Sequence, residues 1–377
     1  MRRKLPIAFA GGLAAVAMLL TGCASGTPAA TTEGGSDWAT ITSAEEGGGM
    51  EALIAAAQAE GELNVIALPD NWANYGLIKQ AFTEKYGIKI NDNLPDASSK
   101  EEIDTAEKTK GTTAAPDVFD LGANVALSST DYFAPYKVEQ WDNIPDANKE
   151  ATGLWVNDYT GVMSVGYNKT KFGEVTSLDQ LTDPKFAGQV ALNGKPAEAG
   201  AAFNGFLMVN NAEGGDFANG QPGLDYFKTL SEAGTLNLQD VTDGTIASGT
   251  HGVVFDWTYN QMSYQASLKD KGVEWEIFVP KGGEIASYYN QAINVDAPHP
   301  AAARLWQEFL YSAEAQNLWL QGGARPVLFD ALEADGTLIE NWQEFLPELD
   351  GETKTPKADE AESMTAFIKE NWDSTVG

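Results

Sequence analysis

The sequence predicts an α/β fold, and two observations support this prediction. Short apolar runs that are typical of buried strands alternate with segments whose apolar residues recur every three or four positions, as on one face of a helix. The chain has 377 residues, of which 43% are hydrophobic and 10% are aromatic, as expected for a protein with a large packed core. This length allows two or three domains.

A first strand–helix–strand unit is predicted near the start of the globular part. Residues 63–68 form an apolar run that ends at Pro69, as a buried strand does before a turn. Apolar residues at helical spacing follow at 77–86, Gly87 is suited to end that helix, and strand residues resume at 88–90. Two strands joined through a helix in this way are parallel neighbours in a sheet.

Strands and helices continue to alternate along the rest of the chain. Apolar runs predict strands at 116–122, 161–168, 189–192, 252–255 and 285–295. Helical spacing predicts helices at 200–209, 224–232 and 300–311. Because α/β sheets bind ligands at the carboxyl ends of their strands, the loops that follow these strands are the expected place for a site.

The N-terminal segment has the features of a secretory signal. Positive charges at 2–4 precede an uncharged apolar stretch at 5–20, which is too short to favour a membrane-spanning helix. The stretch leads into Leu-Thr-Gly-Cys ending at Cys23, which resembles the lipobox of bacterial lipoproteins. Residues 1–22 are therefore predicted to be a lipoprotein signal peptide. Lipid on Cys23 is predicted to hold the protein to the membrane, on the outer face of the cytoplasmic membrane.

Charge and residue usage exclude several classes of function. The 24 Lys and Arg residues against 54 Asp and Glu residues give a formal net charge of −30, which argues against nucleic acid as a partner. Cys23 is the single cysteine, and His251 and His299 are the two histidines, so disulfides and Cys/His metal sites are not expected. We expect no cofactor. A secreted hydrolase with paired carboxylates is a distant alternative, because no particular pair of acids is marked.

Three segments together resemble the extracellular solute-binding proteins of ABC importers. The first is the Trp-Ala-Asn-Tyr loop at 72–75 followed by Tyr-Gly-Ile-Lys-Ile at 86–90, and the second is Leu-Thr-Asp-Pro-Lys-Phe-Ala-Gly at 181–188. The third runs from Pro298 to Trp319 and continues into Gly-Gly-Ala-Arg-Pro-Val. Within the family the chain is most similar to the spermidine/putrescine branch, which has relatives that take iron(III) or aminoethylphosphonate.

The resemblance implies a two-lobed fold like that of periplasmic binding proteins, with two interlobe crossover strands at about 162–164 and 287–290. It also implies capture of a small solute in the cleft between the lobes and delivery to an ABC permease in the membrane. No catalytic residue is then needed, and a monomer is expected. Small and polar residues predict a lipid-anchored flexible tether at 23–49. The implied lobes are 50–162 plus 288–321 for lobe 1 and 163–287 plus 322–377 for lobe 2.

The loops expected at the cleft are rich in aromatic and acidic residues. A protonated amine is held well by carboxylates at its nitrogen and by ring faces over its methylenes, so a polyamine is the expected ligand. Tyr288 and Tyr289 alternate across their strand, and of the two we favour Tyr289 for the cleft. The predicted ligand-binding residues are Asp70, Asn71, Trp72, Asn124, Asn193, Gly200, Asp256, Trp257, Tyr259 and Tyr289.

Other interpretations of these residues stay open. Core packing is the alternative interpretation of Trp72 and Trp257, and a turn or loop cap is that of Asp256. Asn193 and Gly200 lie where a loop enters a helix, whose free N–H groups suit a phosphonate or carboxylate. Arg325 either neutralises such an anion or lies on the surface.

Iron(III) is a minor alternative for the ligand. It requires hard oxygen ligands, and only Tyr259 matches the tyrosine pair of the ferric-binding relatives. His251 lies in a predicted turn and His299 at a predicted helix start, and neither is expected to bind a metal. No metal site is therefore predicted.

Overall fold

The computed structural model describes residues 37–346 and 352–377, which belong to the structural unit Ser36–Gly377. Helices and strands alternate in it as the sequence predicts. The helices are α1 (Met50–Glu60), α2 (Tyr75–Tyr86), α3 (Ser99–Thr109), α4 (Ala123–Ala126), α5 (Lys169–Phe172), α6 (Gly200–Ala212), α7 (Gln221–Glu232), α8 (Asp243–Ala247), α9 (Thr258–Lys269), α10 (Pro300–Leu310), α11 (Ala313–Gln321), α12 (Phe329–Asp335) and α13 (Ala358–Thr375). The strands are β1 (Glu62–Val65), β2 (Lys89–Asp92), β3 (Val118–Gly122), β4 (Phe133–Ala134), β5 (Val156–Asn168), β6 (Val190–Leu192), β7 (Val253–Trp257), β8 (Trp275–Phe278), β9 (Ala286–Asn294) and β10 (Arg325–Pro326).

The strands form a small parallel pair and one large mixed sheet. β1 and β2 pair in parallel and are joined through α2, which confirms the predicted strand–helix–strand unit. The large sheet has the order β3-β9-β5-β7-β6, with β4 beside β9 and both β8 and β10 beside β5. Its only parallel pair among the described strands is β6–β7, and the other neighbours are antiparallel.

Two long strands run from one lobe into the other. β5 and β9 pair with each other from Val156 opposite Gln291 to Val162 opposite Ala286. The later part of β5 then pairs with β7 and β8 in lobe 2, whereas the later part of β9 pairs with β3 in lobe 1. The two crossover strands implied by the family resemblance are therefore present, and the fold is a two-lobed α/β fold.

Aromatic contacts mark the core of each lobe. In lobe 1 the α2 residue Phe82 is fully buried, and its ring lies 5.1 Å from that of Trp306 on α10. In lobe 2 Phe227 on α7 packs against Trp372 on α13, with ring centroids 5.3 Å apart. Because a buried aromatic side chain removes much apolar surface from water, these contacts hold α10 and α13 against their lobes.

The segment before α1 is packed against lobe 1. Trp38 is 6% exposed. The buried guanidinium of Arg304 donates to the carbonyl oxygens of Ile41 at 2.8 Å and Ala39 at 3.2 Å. The tether predicted for 23–49 is therefore shortened, since residues from 37 onward are docked. The earlier part of the tether, the signal peptide and Cys23 lie outside the described residues.

The segment after α11 makes its hydrogen bonds to elements of lobe 1. β10 pairs with Tyr159 and Thr160 on β5, and the Val327 N–H donates to the Asp158 carbonyl oxygen at 2.7 Å. α13, by contrast, packs on α7 in lobe 2. We therefore propose to assign 322–339 to lobe 1, and to keep α13 in lobe 2, as the sequence predicts.

Candidate functional site

A cavity of about 590 Å³ lies between the two lobes. Lobe 1 contributes the loop after β1, the start of α3 and Asp120 of β3. Lobe 2 contributes the loop between β6 and α6, the loop before α8, and two residues of α9, while Tyr289 comes from the crossover strand β9. Loops that follow strands thus converge on the cavity, as the topology of α/β folds predicts.

The loop after β1 is held in an uncommon conformation. Ala67, Ala73 and Asn74 all have positive φ angles, of 58°, 42° and 70°, which are rare for residues other than glycine. Lys79 ties the loop down, because its Nζ lies 2.6 Å from the Leu68 carbonyl oxygen and 2.9 Å from Asp70 Oδ1. Strained backbone of this kind is typical of functional loops.

The cavity wall carries far more negative than positive charge. Its two lysines are both engaged, Lys100 with Asp104 at 2.5 Å and Lys195 with Glu198 at 3.9 Å. The excess of carboxylates favours a cationic occupant. Among the described residues, the acids that line the cavity are Asp96, Glu101, Glu102, Asp104, Asp120, Glu198, Asp240 and Asp243.

Three buried acids, Glu102, Asp120 and Asp158, form what we call the carboxyl cluster. Glu102 Oε2 accepts the Asp120 backbone N–H at 3.0 Å. Asp120 Oδ2 accepts the hydroxyls of Tyr75 at 2.8 Å and Tyr159 at 3.3 Å. Glu102 Oε1 and Asp120 Oδ1 accept no N–H or hydroxyl donor from the described residues. Acceptor capacity is therefore left over on two residues that line the cavity.

Burial changes the acidity of this cluster. It raises the pKa of Asp120 to about 7, and it raises the pKa of Glu102 well above the ordinary value, with the charge of Asp120 adding to the effect. Asp158 lies behind Asp120 and accepts the Gln291 amide at 2.8 Å. Burial raises the pKa of Asp158 well above its ordinary value, and the negative charge of Asp120 adds to the effect, so the proton of this pair rests on Asp158.

Five rings from both lobes meet next to the carboxyl cluster, and we call them the aromatic cluster. The ring of Trp72 lies 5.8 Å from that of Tyr289 and 5.9 Å from that of Tyr259. The Trp72 indole N–H donates to the Tyr159 hydroxyl at 2.8 Å. Trp257 is fully buried and donates to the Tyr289 hydroxyl at 3.4 Å. Trp72 and Tyr289 therefore border the cavity, whereas Trp257 supports Tyr289 from behind.

The carboxylate of Asp256 is fully occupied by neighbours. Oδ2 accepts the Asn193 amide and the Tyr264 hydroxyl, each at 2.9 Å, and Oδ1 accepts the Trp257 N–H at 2.7 Å and the Asn260 amide at 3.0 Å. Burial raises the pKa of Asp256 to about 6, although these four donors work in the opposite direction. Asp256 therefore holds Asn193, Asn260 and Tyr264 in place on the lobe 2 wall of the cavity.

The N-terminus of α6 reaches the cavity at Gly200. The helix has no side-chain cap there, so its first N–H groups face the cleft without partners of their own helix. Gly200 touches the backbone of lobe 1, because a Cβ on Gly122 would lie 2.6 Å from the Gly200 Cα. Only a residue without a side chain allows the lobes to approach this closely.

The structure brings half of the predicted ligand-binding residues to the cavity wall. Asn71, Trp72, Asn193, Gly200 and Tyr289 line it. Of the others, Asp70 pairs with Lys79, Asp256 is internally bonded, and Asn124 is buried with an amide that finds no partner among the described residues. Trp257 and Tyr259 lie under the rings of Trp72 and Tyr289.

Residues left open by the sequence make other contacts. Arg325 pairs with Asp330 at 2.8 Å and lies over the Phe329 ring at 3.6 Å. Tyr288 is on the opposite face of β9 from Tyr289. His251 bonds to Thr245 and His299 to Asp117. In the described ranges, no group of three or more His, Cys, Asp or Glu residues is arranged to hold a metal ion.

Sequence reasoning missed the carboxyl cluster and Tyr264. The signal was present for Asp120 and Asp158, which interrupt otherwise apolar strands, because a charged residue inside a buried strand has to be paired or functional. Glu102 gives no such signal, since it lies among other acids on α3. No helix in the part of the chain that the structure describes is long and apolar enough to cross a membrane.

Solved structures with the same fold bind chemically different solutes. A periplasmic binding protein from Actinobacillus pleuropneumoniae with fructose-6-phosphate bound is 19% identical, with a TM-score of 0.62 over 84% of this chain and 99% of the other. An apo ferric ion-binding protein from Pasteurella haemolytica is 16% identical, with a TM-score of 0.61 over 84% and 98%. A suggested spermidine/putrescine ABC transporter protein from Listeria monocytogenes is 15% identical, with a TM-score of 0.61 over 84% and 98%. At these identities the likeness shows the fold alone.

The sequence profile of the bacterial extracellular solute-binding proteins matches residues 115–346, which is more than half of the chain. No curated protein matches the chain by sequence. Membership of this family is consistent with the observed cleft between two lobes. It excludes the alternative that the protein is a secreted hydrolase. The chain belongs to the bacterial extracellular solute-binding protein family, and it is a non-enzymatic, substrate-binding component of an ABC importer.

Proposed function

We propose that the protein captures a polyamine such as putrescine or spermidine between its lobes and delivers it to an ABC permease. One observation carries this proposal, namely the excess of carboxylates on the cavity wall together with the open acceptors of Glu102 and Asp120. An ammonium group supplies three N–H donors and a positive charge, which are what these groups lack.

The aromatic residues at the cavity suit the rest of such a ligand. Trp72 and Tyr289 are set nearly perpendicular to each other, at 79°, and so present an indole and a phenol ring on adjoining sides. Ring faces bind methylenes through apolar contact and bind ammonium groups through cation–π attraction of about 0.5–2 kcal/mol. Exposed acids such as Asp96 and Asp240 at the rim are available to a second amine.

The anionic alternative is 2-aminoethylphosphonate. Its phosphonate would meet the α6 N-terminus at Gly200, and its ammonium the carboxyl cluster. Against it stands the charge of the cavity wall, whose two lysines, Lys100 and Lys195, are paired with Asp104 and Glu198. A phosphonate there lacks a free positive charge and is repelled by the acids of the wall.

Iron(III) remains the less favoured alternative. It is held by ionised tyrosines and carboxylates. Burial, with the charges of neighbouring carboxyls, raises the pKa of Tyr259 and of Tyr289 well above the ordinary value, which disfavours the phenolate form that iron requires. Burial likewise raises the pKa of Glu102 and Asp158 well above the ordinary values, so the carboxyl cluster does not offer three anions to a metal ion.

We also propose that the protein is attached to the membrane through lipid on Cys23, as the Leu-Thr-Gly-Cys motif predicts. The tether then ends where residue 37 meets lobe 1. Metabolic labelling with a fatty acid tests this, because Cys23→Ser is expected to abolish incorporation and leave the solute affinity unchanged.

Calorimetry of the full-length protein with putrescine, spermidine, 2-aminoethylphosphonate and ferric citrate tests the ligand class. We expect binding of the two polyamines, with tighter binding than for the phosphonate. Binding of the phosphonate alone would move the site to Gly200. Binding of ferric citrate alone, or of none of the four, would refute the amine proposal.

A further inference from the structure

The carboxyl cluster places three acidic groups together in the interior. Glu102 and Asp158 are fully buried, and Asp120 is 4% exposed. The groups come from three different elements, α3, β3 and β5, so the fold and not a local sequence motif brings them together. Glu102 and Asp120 belong to the cavity wall, while Asp158 lies behind Asp120 on a crossover strand.

Nothing among the described residues neutralises this charge. Among the described residues, no lysine, arginine or histidine forms an ion pair with any of the three acids. On the cavity side, Lys100 and Lys195 are engaged by other acids. The groups that face the cluster are neutral hydroxyls and an amide, namely Tyr75 from α2, Tyr159 from β5, Tyr259 from α9, Tyr289 and Gln291 from β9, and Tyr311 after α10.

Three unpaired carboxylates cannot share a dry interior. A buried ion without a partner costs several kcal/mol, so such a group takes up a proton instead. The Tyr75 and Tyr159 hydroxyls donate to Asp120, and the Gln291 amide and the Tyr159 N–H donate to Asp158, whereas Glu102 accepts a single backbone N–H. In the absence of a solute the cluster therefore keeps protons at neutral pH.

Two oxygens of the cluster, both on residues of the cavity wall, have no hydrogen-bond donor among the described residues. Glu102 Oε1 and Asp120 Oδ1 accept no N–H or hydroxyl donor, although Glu102 Oε2 and Asp120 Oδ2 each accept at least one. Both residues lie on the wall of the cavity. An ammonium group that binds at this wall supplies the N–H donors that these oxygens lack.

We propose that the carboxyl cluster binds the ammonium end of the solute and gives up one proton to solvent as it does so. The inference rests on the proposed function and adds to it a subsite and a dependence on protons. In the exchange, R–NH₃⁺ enters with its charge, a carboxyl O–H releases H⁺ to water, and the carboxylate formed accepts the ammonium N–H. The total charge of the carboxyl cluster together with the bound ammonium group is therefore unchanged by the exchange.

The exchange makes solute affinity depend on pH. Alkyl ammonium groups stay protonated near neutral pH, so the cluster is the group that titrates. Each proton released raises the affinity by up to about tenfold per pH unit. Affinity is therefore expected to rise from pH 6 to pH 8.

Calorimetry of the full-length protein with putrescine measures the released protons directly. The titration is run at one pH in two buffers of different ionisation enthalpy, neither of which is a primary amine or phosphate. The observed enthalpy then differs between the buffers in proportion to the number of protons released. We expect net release at pH 7, and affinity that rises between pH 6 and 8.

Glu102→Gln identifies the source of the protons. Glutamine keeps the Oε atom that accepts the Asp120 N–H, and it removes a buried acid, so the fold is retained. We expect putrescine affinity at pH 8 to fall by at least about tenfold and the proton release to shrink. The matched control is Glu370→Gln on the exposed face of α13, which is expected to change neither quantity.

The experiments distinguish failure of the subsite from failure of the proposed function. If wild type binds putrescine without releasing protons, or Glu102→Gln binds with unchanged affinity and unchanged pH dependence, the subsite is refuted while the proposed function stands. If wild type binds no amine, the proposed function fails and this inference fails with it.

Discussion

Asn71 of lobe 1 is hydrogen-bonded to Asp243 of lobe 2, with its Nδ2 atom 2.8 and 2.9 Å from the two carboxylate oxygens. The bond spans the mouth of the cavity, so it exists only when the lobes are closed. We expect Asn71→Ala to raise the rate of solute release by about two- to fivefold, as the loss of one partly exposed bond to a charged group implies. Stopped-flow fluorescence measures this rate.

The control for this bond is Asn143→Ala, which removes an exposed amide bonded to Gln140 in lobe 1. It is expected to leave the release rate unchanged. In the double variant of Asn71 and Asp243 the two effects should not add, because each single change already breaks the same bond. Additive effects would show that the two residues act separately.

Gly200→Ala is expected to obstruct closure of the lobes. A Cβ at this position would lie 2.9 Å from the Gly122 Cα and 3.1 Å from the Tyr289 hydroxyl. Since one neighbour is backbone, the lobes have to move apart, and we expect affinity to fall by at least about tenfold with little change in the unfolding temperature of the free protein. Gly244→Ala is the control, because its nearest atom lies at an ordinary 3.6 Å. Unchanged affinity for Gly200→Ala would mean that the solute binds to an open form.

Asp256→Asn separates a structural role from a ligand-binding role. Each carboxylate oxygen of Asp256 accepts two hydrogen bonds. In the variant an NH₂ group replaces one of these oxygens, so it faces two donors and can accept from neither. We expect the free energy of unfolding to fall by about 2–3 kcal/mol in urea denaturation. If Asp256→Asn keeps its stability but loses much of its affinity for amines, Asp256 binds an ammonium group directly, as its position at the end of a strand predicts.

Glu308 makes stability depend on pH. Burial raises its pKa from the ordinary 4.5 to about 7, against donation from the Glu139 N–H and the Tyr136 hydroxyl. The folded state therefore binds a proton more readily than the unfolded state. This contribution is full below pH 4.5, and it is lost as pH rises to about 7.

Urea denaturation of wild type and Glu308→Gln at pH 5 and pH 8 measures that contribution. Wild type is expected to lose up to about 3 kcal/mol more than the variant between the two values. The variant is a suitable comparison because glutamine keeps an oxygen acceptor for one of the two donors. Parallel pH profiles of the two proteins would show that Glu308 keeps its ordinary pKa.

The sequence predicts most of the fold, and half of the ten predicted ligand-binding residues line the cavity. The run at 116–122 indicates strand β3, since apolar runs report burial. It does not reveal that Asp120 faces the cleft, because both faces of this strand are buried and the residues carry no periodic signal. The start of α6 at Gly200 agrees with the predicted helix, because a loop rich in small residues is a local feature.

Contacts between distant parts of the chain escaped prediction. Asp256 follows a strand, as a ligand-binding residue does, but its donors Asn193, Asn260 and Tyr264 lie on other elements that only the folded chain brings together. The segment 37–49 has the composition of a tether. It is held by Arg304, which is remote in sequence, and no local pattern reports that contact.

The position of β9 between β3 and β5 has a consequence for how the chain folds. β3 is translated early, yet its partner in the sheet is β9, which follows the whole of the β6–β8 region in the chain. Lobe 1 therefore cannot complete its sheet while the ribosome is still making lobe 2. Contacts of such long sequence separation slow folding, so the growing chain stays without its native structure for longer and has more time for export.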